Sequence, residues 1–222
     1  MMRLLRRYWY NLGLVWAVVA IAWAFLGHLP TVPMILLLNF AALMLHQFEE
    51  YGWPGGFPWI HNQVVMASAG PVDRFPLNQN SAVFINVVGW LFCLVPALFP
   101  DQRWLGLAMV LFTFGQLIYH GVVTNRKFKS LYNPGLAAVV LLHIPLGIYY
   151  LSEVFSKGGF TFGDCGLAVI YLGCFMGVVM QFIGFRLLAA KNSPYPFAPE
   201  EMERFNRRGH LARLGMVGEP NK

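Results

Sequence analysis

An imidazole and two carboxylates close an otherwise apolar stretch of the sequence, in the segment LMLHQFEEYGW. Helical spacing places Glu49 and Glu50 on either side of the direction in which His46 points. Ionisable groups are costly to bury in a membrane helix, and they usually mark a functional site there. The pattern therefore indicates a ligand or acid/base cluster that faces the interior of a helix bundle. The alternative is that the glutamates end the helix among lipid headgroups and that His46 is a satisfied interior histidine.

Two further histidines are predicted to reach the same layer from other helices. At about 1.5 Å per residue, His46 and His120 lie roughly 7 Å inside the ends of their helices, and His143 lies about 12 Å inside. Three histidines with an open fourth position are typical of a catalytic zinc. We predict a divalent metal, zinc by preference, on these three histidines. The chain has too few carboxylates in its spans for a di-iron site.

The two glutamates are the predicted catalytic residues of this site. Either could act as a general base on a metal-bound water. Both cannot be ionised side by side in an apolar pocket without a cation, so we expect them to be unequal. Glu49 is expected to be essential for activity, whereas Glu50 is expected to support metal occupancy from behind a histidine.

Uncharged polar residues are expected to support the same layer. Each lies at a similar depth in a predicted span, or flanks one, and can donate or accept a hydrogen bond. They are Asn39, Asn86, Gln116, Asn125, Tyr132 and Gln181. Asn86 is equally typical of an interhelical hydrogen bond, and the run Tyr132–Gly135 is also compatible with a simple helix start.

The helices that carry these residues are predicted from hydropathy. The chain is 57% hydrophobic and 12% charged, and apolar runs of about 17–25 residues are long enough to cross a bilayer. Six such runs predict an all-α, polytopic membrane bundle. They are Tyr8–Leu26, Thr31–Glu50, Asn80–Phe99, Trp104–Val123, Gly135–Phe155 and Phe162–Ala190.

Basic residues predict the orientation of this bundle. With the N-terminus inside, only Arg103 and Lys157 of the 16 basic residues fall on the outer side. We therefore predict cytoplasmic N- and C-termini and a location in the bacterial inner membrane. Residues 1–190 would form one transmembrane domain with a cytoplasmic loop at 51–79, and 191–222 a loosely ordered cytoplasmic tail. The net charge of +6 follows from this bias and gives no sign of nucleic-acid binding.

The predicted loop at 51–79 is longer than a helix bundle usually needs, and it is rich in Gly, Pro and Trp. Long loops with many aromatic residues are usually ordered and functional. We expect this loop to fold back along the inner face as a lid or re-entrant element. Its residues His61 and Asn62 are equally compatible with a solvated loop pair and with a contribution to the site.

Two short motifs resemble a known family. The segment His46-Gln47-Phe48-Glu49-Glu50 is similar to the signature of the HXXEE-motif family of uncharacterised membrane proteins, which also has a further histidine and a YxPG motif. Here the second motif is Tyr132-Asn133-Pro134-Gly135, and the further histidine would be His120 or His143. The resemblance covers the second through fifth spans. It implies an enzyme-like polar site without an established reaction.

Three functions are compatible with these features. The first is a metal-dependent hydrolase that acts on a lipid or other apolar substrate from the cytoplasmic leaflet, with basic residues holding an anionic group. The second is a non-catalytic subunit of a larger membrane complex, which the many aromatic residues would suit. The third is a haem-binding or proton-relay protein. The expected partners are membrane lipids, a lipid substrate or other membrane subunits.

Overall fold

The computed structural model describes residues 2–206, and within that range the chain is helical and contains no strand. Six helices are long and apolar enough to cross a membrane, which confirms the predicted bundle of six spans and indicates an integral membrane protein. The helices are α1 (Arg3–Leu26), α2 (Thr31–Tyr51), a short α3 (Phe57–Trp59) continued by a wider turn at Ile60–Val65, α4 (Gln79–Leu98), α5 (Arg103–Phe128), α6 (Leu136–Ser156), α7 (Phe162–Leu187) and a short α8 (Pro199–Met202).

Helix α2 lies at the centre of the bundle and is the most buried of the six spans. It packs against α1, α4 and α6, and its apolar residues Ile35, Leu36 and Met44 are fully buried. The polar residues at the end of α2 are consequently surrounded by other helices. By contrast, α7 buries only a small part of its surface and leaves an apolar face exposed, as expected of a lipid-facing helix.

Several chain segments meet at the end of the bundle that carries His46–Glu50, which we call the motif end. Tyr51, at the end of α2, contacts the rings of Trp9 and Tyr10 near the start of α1. The Asn78 side chain caps the start of α4 and donates a hydrogen bond of 2.9 Å to the Leu188 carbonyl just after α7. The start of α1 and the segment after α7 therefore lie at the same end.

The loop between α2 and α4 is packed against the motif end. Its residues His61 and Asn62 are both buried. The Asn62 amide donates hydrogen bonds of 2.8 Å to the Val72 and Leu77 carbonyls, and its oxygen accepts one from the Leu77 amide at 3.0 Å. Asn62 therefore closes the loop on itself, which leaves His61 as the residue of this pair that faces the site.

The segment after α7 also packs on the motif end, where the sequence composition predicts a loose tail. Phe197 and Met202 are buried against an aromatic cluster that includes Tyr51. The Arg204 guanidinium donates hydrogen bonds to the backbone carbonyls of Tyr51 and Gly52. Apolar burial and these bonds order the segment despite its Pro- and Glu-rich composition. Residues 207–222 of the predicted tail lie outside the described residues.

Candidate metal site

The His46 side chain is oriented by the turn that precedes α6. Its Nδ1 atom lies 2.9 Å from the carbonyl oxygen of Gly135. Because a carbonyl oxygen can only accept a hydrogen bond, Nδ1 carries the proton and Nε2 carries a lone pair. That lone pair lies on the side of Glu50, whose Oε1 atom is 3.7 Å from Nε2.

The His120 side chain, on α5, is oriented in the same way by Asn133. The Asn133 amide nitrogen donates to the His120 carbonyl at 2.9 Å and to Asn125 Oδ1 at 2.8 Å. These two bonds fix which end of the amide is oxygen, and that oxygen lies 2.7 Å from His120 Nδ1. His120 therefore donates from Nδ1, and its Nε2 lone pair lies 3.4 Å from Glu50 Oε1.

Three ligand atoms converge at this point. His46 Nε2 and His120 Nε2 lie 3.7 and 3.4 Å from the same Glu50 oxygen. The three residues each offer a ligand atom within 4.8 Å of the others, and all three side chains are buried. Ligands about 2.0–2.1 Å from a tetrahedral zinc lie about 3.3–3.4 Å apart, close to the separations seen here. A neutral imidazole nitrogen and an ionised carboxylate oxygen are both acceptors. The cluster therefore needs a cation, either a metal ion or a proton.

His143 lies one layer deeper than this cluster. Its ring centroid is 5.9 Å from that of His46, and its Nδ1 atom is 2.6 Å from Asn39 Oδ1. Among the described residues, the group of converging ligand atoms contains Glu50 and does not contain His143. The geometry thus gives two histidines and one glutamate, where depth along the helices predicted three histidines. Asn39 draws the His143 ring toward the preceding heptad of α2.

Glu49 faces a different part of the structure from Glu50. Its carboxylate accepts hydrogen bonds from the Tyr132 hydroxyl at 2.7 Å and from the backbone amides of Ala137 and Ala138 at 3.1 and 2.8 Å. These amides belong to the first turn of α6, which has no intrahelical acceptors for them. Glu49 therefore caps α6 and complements the positive end of its dipole. Neither glutamate ends in headgroups, since both are buried by protein.

The turn Tyr132–Gly135 supplies a hydrogen-bond partner to Glu49 and to both histidines of the cluster, but not to Glu50. Tyr132 binds Glu49, Asn133 binds His120, and the Gly135 carbonyl binds His46. Burial raises the pKa of Tyr132 above its ordinary value, so the phenol remains a hydrogen-bond donor. The sequence predicts Tyr132 as a supporting residue, whereas for the rest of this turn it predicts only the start of a helix.

Gly135 is the position in this turn that requires glycine. Its φ of +103° is a conformation that other residues rarely adopt. A Cβ atom at Gly135 would lie 2.7 Å from His120 Cε1 and 2.8 Å from His46 Cε1. The backbone at Gly135 thus lies so close to both imidazoles that a residue with a side chain would not fit there.

An apolar cavity of about 310 Å³ adjoins the cluster, and His46 and Glu50 form part of its wall. The predicted supporting residues Asn86, Gln116 and Gln181 also line it. Asn125 lies outside the cavity and supports Asn133 instead. The cavity is therefore a route by which an apolar molecule can reach the cluster.

A second polar pair lines the same cavity. His61 Nδ1 and the Tyr119 hydroxyl are 2.7 Å apart, and the His61 ring stacks on Phe185. Burial lowers the pKa of His61 to about 4, so this imidazole is neutral at physiological pH. Tyr119 is not among the residues that the sequence predicts for the site. Its position immediately before His120 is the feature of the sequence that indicates it.

Comparison with known protein families gives one match. A family model described as "Protein of unknown function with HXXEE motif" matches residues 37–150, just over half of the chain. The chain belongs to the HXXEE family. The matched region contains both motifs, the two converging histidines and His143, whereas α1 and α7 lie outside it. No curated protein and no solved structure matches the chain significantly.

Membership of the HXXEE family confirms the resemblance drawn from the two motifs. The spacing of the HXXEE motif now has a structural explanation in this chain. The residue four positions after the histidine shares its helix face and reaches the cluster, while the residue three positions after it reaches α6. The two adjacent glutamates therefore serve different contacts.

Proposed function

We propose that this protein is a membrane-embedded, metal-dependent hydrolase that acts on a lipid or another apolar molecule. The observation that carries the proposal is the convergence of His46 Nε2, His120 Nε2 and Glu50 on one buried point. The substrate would arrive through the adjoining cavity from the leaflet at the motif end, which the basic residues predict to be cytoplasmic.

The orientation of the two imidazoles supports a metal ion over a purely structural cluster. Histidines that bind metals usually donate their other ring N–H to a carbonyl or carboxylate, which fixes the tautomer. His46 and His120 both do so, through Gly135 and Asn133. Two histidines and one glutamate, with a fourth position left for water, are a known catalytic zinc set. Zinc is therefore the proposed ion.

The residues around the cluster divide the remaining chemistry. A bound zinc lowers the pKa of its water and polarises a substrate carbonyl. His46, His120 and Glu50 would hold the ion. The water oxygen would bond to the carbonyl carbon while the ester or amide bond breaks, and the proton that the water releases would balance the one taken up by the leaving group. The His61–Tyr119 pair lines the cavity and is suited to give a proton to the leaving alcohol or amine.

Glu49 is assigned a positioning role in this scheme, in place of the essential catalytic role that the sequence predicts, whereas the predicted role of Glu50 in metal occupancy is kept. Its three donors are Tyr132 and two backbone amides, which occupy three of the roughly four lone-pair positions of the Glu49 carboxylate. Glu50 has the site-facing carboxylate. We therefore propose Glu50 as the residue essential for activity and Glu49 as the one that fixes α6 against α2.

A proton relay is the second candidate, because the same acceptors could share a proton. Glu50 protonated on one oxygen could donate to either histidine, and His143 with Asn39 would extend the polar path deeper into the bundle. Axial haem ligation is less well supported, since the Glu50 carboxylate approaches both Nε2 atoms where a macrocycle would have to pass.

Metal analysis of the purified protein tests the proposal. Protein in detergent should carry about one equivalent of zinc, and His46→Ala and His120→Ala should each reduce it to a trace. The matched control is His28→Asn, because His28 is an exposed histidine in the turn between α1 and α2. A folded wild-type protein that binds no metal when zinc is supplied would refute the hydrolase proposal and favour the relay.

A further inference from the structure

The cavity beside the cluster reaches the lipid-facing surface between α5 and α7. The first halves of these helices pack together, whereas the second half of α7, Cys174–Leu187, packs against α4. Four residues that both line the cavity and are exposed lie on the two sides of this gap. They are Leu111 and Gly115 on α5, and Met176 and Gln181 on α7. A fifth, Met66, lies in the loop between α2 and α4. Inside a membrane, such a gap opens sideways toward lipid tails.

The cavity wall is suited to an uncharged molecule. Among the described residues that line it there is no lysine or arginine, and Glu50 is the only acidic one. The other polar groups are mostly amides and phenols, including Gln116, Gln181 and Tyr119. A phosphate headgroup would find no basic side chain on this wall to bind it.

Three basic residues near the motif end already have partners. Arg7 pairs with Glu200 at 3.1 Å, and Arg74 pairs with Asp73 at 2.7 Å. The Lys127 ammonium donates to the Val65 carbonyl at 2.5 Å. None of these three residues lines the cavity, so the predicted basic rim that would hold an anionic group stays a prediction.

We infer that the cavity binds an uncharged, single-chain lipid, such as a monoacylglycerol or a fatty amide, which enters from the bilayer between α5 and α7. The volume of about 310 Å³ lies at the lower end of the range of about 300–1,000 Å³ for small-molecule sites, which suits one chain better than two. The identification of this lipid as a substrate rests on the proposed function, whereas its binding does not.

Photocrosslinking in lipid nanodiscs tests the inference directly. The probe is a monoacylglycerol with a diazirine on its acyl chain, and labelled peptides are mapped by mass spectrometry. Label is expected on α5 and α7 near Gly115 and Met176. Unlabelled monoacylglycerol should compete for labelling, and lysophosphatidic acid of the same chain length should not.

Variants of the gap provide the matched comparison. A Cβ atom at Gly115 would meet nothing within 4 Å, so Gly115→Trp fits the fold and places an indole in the gap. Gly166, on the exposed first half of α7, is equally open and lies away from the cavity. Gly115→Trp should abolish labelling and Gly166→Trp should preserve it. Met176→Trp is a second blocking variant if Gly115→Trp folds poorly.

Two results would overturn the inference: effective competition by lysophosphatidic acid, or labelling that persists in both blocking variants. His120→Ala separates this inference from the proposed function, because His120 is a proposed ligand that does not line the cavity. Labelling should persist in that variant. Labelled wild-type protein without bound metal would refute the hydrolase but support the binding site. Metal-loaded protein that is not labelled by the monoacylglycerol probe would refute the binding site but leave the hydrolase proposal standing.

Discussion

Gly135→Ala is the substitution that tests the geometry of the site most sharply. The new methyl group would lie 2.7 Å from His120 Cε1 and 2.8 Å from His46 Cε1, well inside van der Waals contact. Both rings must move, and with them the two Nε2 atoms that define the proposed site. The substitution also places alanine at a φ of +103°, which costs on the order of 1–3 kcal/mol of folding free energy.

Two effects of this substitution are therefore expected. Misplacing the hydrogen-bond partner of a metal ligand typically lowers metal affinity by about 10–100-fold, equivalent to roughly 1.4–2.8 kcal/mol. Moving two ligands together should place the loss at or above the upper end of that range. The melting temperature should fall as well, because the backbone strain acts on the fold whether or not metal is bound.

Gly158→Ala separates these effects. Gly158 has a φ of +98°, close to that of Gly135, but a Cβ atom there would meet nothing within 4 Å. Both variants should lose stability in thermal unfolding, whereas only Gly135→Ala should lose zinc in a titration against a chelator. Zinc affinity that is unchanged in Gly135→Ala, or equally weakened in both variants, would show that the two imidazoles do not hold the ion.

Four other substitutions have distinct expected outcomes. Glu50→Gln should abolish zinc binding, which metal analysis measures. Glu49→Gln should retain zinc but lower the melting temperature in thermal unfolding, because it weakens a helix cap that contributes about 1 kcal/mol of folding free energy. Asn133→Leu leaves the His120 N–H without its acceptor and should weaken zinc binding about tenfold or more in a chelator titration. Burial lowers the pKa of His61 to about 4, so the stability gained by burying it neutral is complete above about pH 6.5 and is lost as the pH falls toward 4. His61→Gln should therefore reduce the acid sensitivity of the melting temperature across that window, and an unchanged pH profile would count against a buried neutral His61.

The sequence predicts the spans and the layer of the site because both follow from hydropathy and helix rise. Those features placed His46 and His120 at a common depth on different helices. Rotation about the helix axis is a separate variable, and it is set by packing. A difference of one residue, about 100° on a helix, separates the direction of Glu49 from that of Glu50. The roles expected for these two residues could not be assigned without the positions of α5 and α6.

The turn Tyr132–Gly135 shows the other limit of sequence reasoning. Its Asn-Pro-Gly composition is sufficiently explained as the start of a helix, so the pattern gives no sign of partners more than 80 positions earlier in the chain. The contacts with His46 and Glu49 arise only because α2 and α6 pack side by side. Similarly, the Pro-rich segment after α7 is ordered by the burial of Phe197 and Met202, which local composition does not encode.

The two motifs of the family act in this chain as one structural unit. Glu49 binds the first turn of α6, and that contact fixes the turn whose carbonyl at Gly135 orients His46. Asn133, in the same turn, orients His120 on α5. Glu50 receives no donor from the turn, and its neighbours are His46 on α2 and His120 on α5. A buried carboxylate that faces two acceptor nitrogens is unfavourable without a cation, so the proposed ion would complete the contact between α2 and α5. The same ion would then stabilise the fold and supply the chemistry, because the contacts that hold the helices together are those that orient its ligands.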